Sequence, residues 1–301
     1  MKQVTISSPF ITLIVLDYGA VIQKLLVKDK NGNWINTVVG KEFPSDYPFD
    51  NKAMGASMGR YAGRISNGGF VLDREHYPLY EQKGIHLHGG KKGFHKRDWT
   101  IEKVDYGETP YVRLSYISNH LEEGYPGNLK ATVTYTLIHN TLHIAYKAKT
   151  DRTTVVNLTN HSYFRLDDES RIDDYRLQLS SSRMVETLAD KLPTGNVVSV
   201  GETPFDFLKE REIGRVRFNT PFVLDPKTKS AAKLSSRKSG ISLSVRTDQP
   251  AMVVYTPDEF PAICFETQNY PDAPNHRSFP SSVLRPGELY ENSSAFIFDL
   301  L

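Results

Sequence analysis

Apolar and polar residues alternate with a period of two along much of the chain. From Lys130 to Leu137 one parity is Ala131, Val133, Tyr135 and Leu137, and the other is Lys130, Thr132, Thr134 and Thr136. Successive strand side chains point to opposite faces, so this pattern predicts a half-buried strand. His139-Asn140-Thr141 separates it from Leu142 to Ala148, which alternates again, and the pair reads as a hairpin. Ile11 to Leu16 is β-branched and apolar, and leads through Asp17-Tyr18-Gly19 into Val21 to Val27. The turn Asp29 to Asn33 has Asn31-Gly32 at its centre to supply positive φ. Tyr175 to Ser180, Ile241 to Arg246, Met252 to Tyr255 and Phe296 to Phe298 repeat the strand pattern. Helical periodicity is scarce, and Phe205 to Ile213 is where one or two turns are expected. Many short strands punctuated by Gly, Pro, Asn and Asp predict an all-β sandwich or barrel-like fold. With no long Ser/Gly linker and no repeat of fixed period, residues 1–301 are expected to form a single domain.

Composition narrows the function classes. Hydrophobic residues are 39% and charged residues 24% of the 301, which describes a globular chain with ample core. A net charge of +2 argues against nucleic-acid and membrane surfaces as partners. The densest basic group, Lys91-Lys92 with Lys96-Arg97, reads as a solvated loop. A single cysteine, Cys264, rules out an intrachain disulfide and a thiolate metal cluster, and fits a reducing compartment. The apolar run Ile11 to Leu16 is far too short to span a membrane, and no small-residue cleavage site follows it. A cytoplasmic location is the expectation. The 16 tyrosines and 15 phenylalanines suit large sheets, and aromatics lining a groove suit carbohydrate faces.

Four stretches carry candidate chemistry. Val156 to Phe164 sets His161 among Asn157, Asn160, Ser162 and Tyr163, surroundings that bury an imidazole and satisfy both ring nitrogens. Asparagines and a tyrosine are costly to bury without purpose, and an imidazole gives or takes a proton near neutrality. Ile263 to Asp272 does the same for a carboxylate, because Glu266 follows the core-like run Pro261 to Phe265 and carboxylates are rarely buried unpaired. Cys264 lies two residues back, on the same face of a regular strand, and reads as an inert small hydrophobe rather than a nucleophile. Gly55 to Phe70 has a glycine at nearly every fourth position but neither dinucleotide nor P-loop spacing, so it is no phosphate cradle. Its Arg60 and Arg64 are candidates to be held inward against hydroxyls. Ile85 to Phe94 contains His86-Leu87-His88-Gly89-Gly90. On a strand His86 and His88 share a face and, with Glu266, would make a two-histidine, one-carboxylate metal set. The competing reading has one histidine facing a polar pocket and the other packed or solvated. One histidine and one glutamate on rigid segments suffice to move a proton on and off a small polar molecule, here read as a sugar.

Taken together these stretches closely resemble the aldose 1-epimerases. The resemblance rests on Gly59-Arg60-Tyr61-Ala62-Gly63-Arg64-Ile65, Leu87-His88-Gly89-Gly90 with Gly93-Phe94 and Trp99, and Gly124-Tyr125-Pro126-Gly127. It continues through Asn160-His161-Ser162-Tyr163-Phe164, Glu266-Thr267-Gln268, Pro271-Asp272-Ala273-Pro274-Asn275, Phe279-Pro280 and Leu284 to Glu288. It implies a large antiparallel β-sandwich with a sugar cleft across one sheet and neither metal nor organic cofactor. It further implies His161 as general acid, Glu266 as general base, and Arg64 and His88 as substrate-binding residues. Asn219, in Arg217 to Phe222, falls where the family has a substrate-binding aspartate, and is expected to bind substrate without a charge.

The implied reaction interconverts the α and β anomers of a free galactose- or glucose-type aldose by acid/base ring opening. Other departures fall in the same pocket: Gly63 and Arg165 each replace a common asparagine, and Val253 replaces a common glutamine. They leave the acid and base in place and put the preferred sugar in question. The alternatives are a non-catalytic or altered-specificity sugar-binding relative, an epimerase of a phosphosugar or another aldose, and a metal-dependent β-barrel enzyme using His86, His88 and Glu266. The expected partner is a small sugar, and the expected state is a monomer or weak homodimer.

Overall fold

The computed structural model describes residues 1–168 and 171–301. Strands make up most of the regular structure, and every helical segment among the described residues is a short 3-10 turn. The largest sheet has nine strands, in the order Thr100–Asp105, Tyr111–Ser118, Leu129–Ile138, Thr141–Thr150, Tyr290–Leu300, Ile241–Thr247, Ala232–Ser235, Arg176–Leu179 and Arg211–Glu212. A second sheet has seven, in the order Pro193–Ser199, Arg183–Thr187, Asn219–Val223, Ala251–Tyr255, Ile263–Gln268, Tyr163–Phe164 and Val38–Val39. The N-terminal strands Gln3–Ser7, Ile11–Leu16, Ile22–Lys28 and Trp34–Asn36 form a third. Pairing within these sheets is antiparallel, as expected for an all-β sandwich.

The predicted hairpin pairs Leu129–Ile138 with Thr141–Thr150 in the register Leu137 to Leu142. Ala131, Val133, Tyr135 and Leu137 are all fully buried, which is why the alternation is so regular. Burying one such aliphatic side chain is worth about 1.5–3 kcal/mol, so a slip of one residue would expose the whole set. Their core also takes Phe164, Met252, Val254 and Phe265 from the seven-stranded sheet, so the two sheets share one apolar layer. The Asp29–Asn33 turn forms as expected, with Gly32 at φ 85° and the Asp29 carboxylate accepting from the Asn31 and Asn33 amides.

One expectation fails. Phe205 to Ile213 is not helical; it runs as an irregular loop into the strand Arg211–Glu212. Its apolar spacing comes from separate anchors: Phe207 and Ile213 are fully buried, and the Arg211 guanidinium lies 3.6 Å from the Phe207 ring centroid. Arg211 also donates to the carbonyls of Pro204 and Asp206, taking the place of helical hydrogen bonds. No helix among the described residues is long and apolar enough to cross a membrane.

Candidate functional site

His161 sits between two two-residue strands. Thr159–Asn160 pairs with Ser57–Met58, and Tyr163–Phe164 pairs with Ile263–Cys264 on one side and Val38–Val39 on the other. The polar neighbours seen in the sequence serve to splice these segments together. Asn157 donates to the Ala62 carbonyl and accepts from the Asn269 amide. Asn160 donates to the Gly55 carbonyl and accepts from both the amide and hydroxyl of Ser162. The backbone of His161 is itself tied to Ala56 and Gly55. Its ring lies 4.9 Å from that of Tyr163, tilted by 33°, and is met edge-on by His88 and Tyr255 at 5.4 and 6.1 Å.

Glu266 and Cys264 reach this ring from the strand Ile263–Gln268, where alternation puts both on one face. Glu266 Oε1 lies 3.6 Å from His161 Nε2, and Cys264 Sγ lies 3.6 Å from His161 Nδ1. The imidazole is therefore held at Nδ1 by the sulfur and turns Nε2 toward the carboxylate. Burial pushes the Glu266 carboxyl above its ordinary range, with His161 and Arg64 working against that shift. Burial also holds the Cys264 thiol protonated, well above the usual thiol range, which makes it a poor nucleophile.

His88 arrives on a different device. The strand His86–Leu87 ends before it, and His88 adopts φ 50°. Gly89 follows at φ 82°, and a Cβ there would fall 1.7 Å from the Gly59 carbonyl oxygen, so only glycine lets this turn close onto Gly59. His88 and Gly63 then bond reciprocally: the His88 amide donates to the Gly63 carbonyl at 3.0 Å, and the Gly63 amide donates to His88 Nδ1 at 3.2 Å. An Nδ1 that accepts a hydrogen bond leaves the proton of a neutral imidazole on Nε2. Burial, with nearby His161 and Arg64, depresses the His88 pKa far enough to keep the ring neutral. His88 is thus a neutral donor through Nε2.

His88, His161 and Glu266 line one cleft of about 480 Å³, together with Arg64, Gln268, Asn219, Pro221, Val253, Tyr163, Tyr255, Thr187 and Lys191, while Cys264 lies behind the His161 ring. Its size suits a small polar molecule. All five sequence-derived site residues, Arg64, His88, His161, Asn219 and Glu266, face it. Val253 pairs with Glu266 and with Pro221 in the sheet, so an apolar patch lies beside the carboxylate. Lys91 and Lys96 stand at the rim, whereas Lys52 is paired with Glu259.

Other candidates lie elsewhere. His86 does not share a face with His88: its Nδ1 donates to the Tyr80 carbonyl at 2.7 Å, and its Nε2 accepts from the Tyr125 hydroxyl at 2.6 Å. Burial lowers its pKa to about 4, so it stays neutral in that role. The alternative His86–His88–Glu266 metal set is therefore not assembled, and the competing reading holds, with His88 facing the pocket and His86 packed; ligand atoms of His88, His161 and Glu266 do lie within 4.8 Å of one another. Arg60 is buried away from the cleft among backbone carbonyls, and Arg165 is near Asp168 at 3.7 Å. Tyr255, Gln268, His95 and Lys191 line the cleft without having been singled out as site residues. Gln268 was legible as the third same-face residue after Cys264 and Glu266. His95 and Lys191 sit in a turn and a loop, where no sequence period marks a face.

A buried carboxylate facing an imidazole across 3.6 Å in a polar cleft has the geometry that proton transfer requires. Comparison with known proteins points the same way. The Aldose 1-epimerase family model matches residues 2–296. The galactose mutarotase of Sus scrofa is 34% identical over 317 residues, covering 95% of this chain and 90% of its own. A solved aldose epimerase homologue from C. elegans superposes with a TM-score of 0.94 at 29% identity, covering 100% of this chain and 99% of that one. A galactose 1-epimerase structure from Lactobacillus acidophilus gives 0.89 at 27%, covering 99% and 94%. With a sandwich fold and a family match over nearly its full length, the chain belongs to the aldose 1-epimerase family.

Proposed function

We propose that this protein interconverts the α and β anomers of a free aldose of the galactose/glucose type, with Glu266 as general base and His161 as general acid. The observation that carries the reading is the 3.6 Å approach of His161 Nε2 to Glu266 Oε1 at the cleft. An anomeric sugar is a hemiacetal, with the C1 hydroxyl and the ring oxygen on one carbon. Glu266 takes the C1 hydroxyl proton while His161 Nε2 protonates the ring oxygen, and the C1–O5 bond breaks to give an aldehyde. Rotation about C1–C2 presents the other carbonyl face. The proton then returns from O5 to His161, C1–O5 re-forms, and Glu266 gives its proton back to the C1 oxygen. Because each group works in both directions, a carboxyl raised toward ambient pH is suited to the task. Arg64 and the Nε2–H of His88 donate to sugar oxygens, and Asn219 hydrogen-bonds without adding charge. A metal at His88 Nε2 would need that nitrogen's proton removed while Nδ1 still faces the Gly63 amide, which disfavours the metal-dependent reading. The lone buried thiol suits the reducing cytoplasm.

Polarimetry on freshly dissolved α-D-galactose and α-D-glucose tests the reaction directly. Accelerated mutarotation is expected, and none with any aldose would overturn it. The pH profile tests the base. Because the Glu266 pKa is raised and the base must be ionised, kcat/KM should fall as pH drops through a limb lying above the ordinary carboxylate value of about 4.3. A limb at that ordinary value would contradict the environment assigned to Glu266.

Cys264 is proposed as a positioning residue that holds the ring from Nδ1. Cys264→Val removes the hydrogen-bonding atom at similar size. The expected result is a fall in kcat of about 3–10-fold, the worth of one modest hydrogen bond, with KM within about twofold and recovery in Cys264→Ser. Equal loss in the serine and valine variants would assign Cys264 to packing alone.

A further inference from the structure

The turn that carries His88 is held from behind by a segment that does not itself line the cleft. Glu122–Gly124 follows the strand Tyr111–Ser118 of the nine-stranded sheet. Glu122 is fixed to that strand: its carboxylate accepts from the Tyr116 hydroxyl at 2.7 Å and from the Ser118 hydroxyl at 2.9 Å. Glu123 reaches instead to the turn after His88. Its Oε2 accepts from the Lys91 amide and its Oε1 from the Lys92 amide, both at 2.9 Å. Gly90 makes room for it, since a Cβ there would fall 2.3 Å from Glu123 Oε2. Hydrogen bonds from two successive amides to one carboxylate are charge-assisted and fix its plane as well as its position. Glu123 also adopts φ 51°, a left-handed conformation unfavourable for a residue with a Cβ. Such a conformation persists where surrounding contacts over-determine it, and here those contacts end on the turn that carries His88.

We propose that Glu123 is a positioning residue for His88, clamping the turn from His88 to Lys92 onto the nine-stranded sheet so that His88 Nε2 points at the substrate. The proposal rests on the reading of His88 as a substrate-binding residue. His88 has left its strand, so no ladder aims its ring. The ring is aimed by the Gly63 amide on Nδ1 and by the course of the turn. The turn is pinned at its start, where the His88 amide donates to the Gly63 carbonyl, and at its end, where the Phe94 amide donates to the Gly59 carbonyl at 3.0 Å. Between those pins the Lys91 and Lys92 amides take Glu123 as their acceptor. Releasing them lets the turn shift and loosens the 3.2 Å contact between Gly63 and His88 Nδ1. Nδ1 is then free to hold the proton, and Nε2 no longer donates to the sugar. Glu266 and His161 sit on other segments and keep their chemistry.

Glu123→Gln keeps the shape but turns an NH₂ toward one of the two amides, so one hydrogen bond becomes a clash of donors. KM for the best aldose should rise by about threefold or more with kcat within about twofold, because His88 binds while Glu266 and His161 react. In a His88→Phe background the same substitution should change KM by less than about twofold, since no ring remains to be positioned. Nitrogen NMR of the imidazoles gives a reading apart from activity. In the wild type His88 should show an unprotonated Nδ1 beside a protonated Nε2, and in Glu123→Gln the two shifts should move toward each other as the tautomers mix. A wild-type KM, a penalty undiminished beside His88→Phe, or unmoved ring-nitrogen shifts would each overturn the proposal. A lower melting temperature with wild-type KM would make Glu123 a stabilising residue only and overturn it as well. Should Glu123→Gln fail to fold, Glu123→Asp keeps the charge but falls one methylene short of the turn, and the same readings decide. If the wild type turned over no aldose, the catalytic reading would fall by itself, and the ring-nitrogen shifts would still decide whether Glu123 places His88.

Discussion

Glu266→Gln is expected to lower kcat by about 10²–10⁴, the usual contribution of a positioned acid or base, with little change in sugar affinity. The amide matches the carboxylate in shape but cannot take the C1 proton, so a loss confined to kcat reports chemistry rather than binding. His161→Ala should cost a similar factor. The double variant should lose far less than the product of the two, because acid and base serve one concerted opening. Stopped polarimetric traces on the best aldose give both constants. A Glu266→Gln variant retaining more than about a tenth of wild-type kcat would remove Glu266 from the mechanism. Stability should move the other way. The Glu266 pKa is raised on folding, so the native carboxyl binds its proton more tightly than the unfolded one. That contribution is fully present below the unfolded value and is lost as pH rises through the folded value. At neutral pH the wild type bears this cost and the neutral amide does not. Glu266→Gln should therefore melt at or above the wild-type temperature, and a lower melting temperature would contradict the assigned burial.

Arg60→Met is expected to destabilise the fold by about 3–5 kcal/mol, lowering the melting temperature by about 5–12 °C. Arg60 is 1% exposed and has no ion-paired carboxylate among the described residues. Its Nη1 donates to the carbonyls of Pro126 and Gly127 at 2.7 and 3.0 Å, and its Nη2 to those of Ser118 and Asn119 at 3.1 and 3.2 Å and to the Ser118 hydroxyl at 2.7 Å. Burial lowers its pKa to about 10, which still leaves it charged at neutral pH. Methionine keeps most of the volume and strands three buried carbonyls, those of Ser118, Pro126 and Gly127, each costing about 1–3 kcal/mol before relaxation. The effect should reach the cleft. The Arg60 carbonyl accepts from the Asn157 amide, and Gly59 is the residue onto which the His88-Gly89 turn closes. Calorimetry with parallel polarimetry checks both, and an unaltered melting temperature would mean the carbonyls find other donors.

The fold was legible because a sheet writes itself into sequence as a period of two. Leu129–Ile138 and Thr141–Thr150 show this with one face buried to the last residue. The same rule anticipated that Cys264 and Glu266 share a face, since Ile263–Gln268 stays regular. It misled at His86 and His88 because the strand stops at Leu87 and His88 turns to φ 50°, where alternation has no meaning. It misled at Phe205 to Ile213 because separate core anchors on a loop imitate a helical stripe. Residue type alone identified a histidine and a carboxylate too expensive to bury idly. Only the tertiary structure could bring their atoms to 3.6 Å across 105 positions of sequence, and send Arg60 into backbone and Arg64 into the cleft. Local pattern reports which side of an element is buried; what that side meets is decided by how distant strands pack.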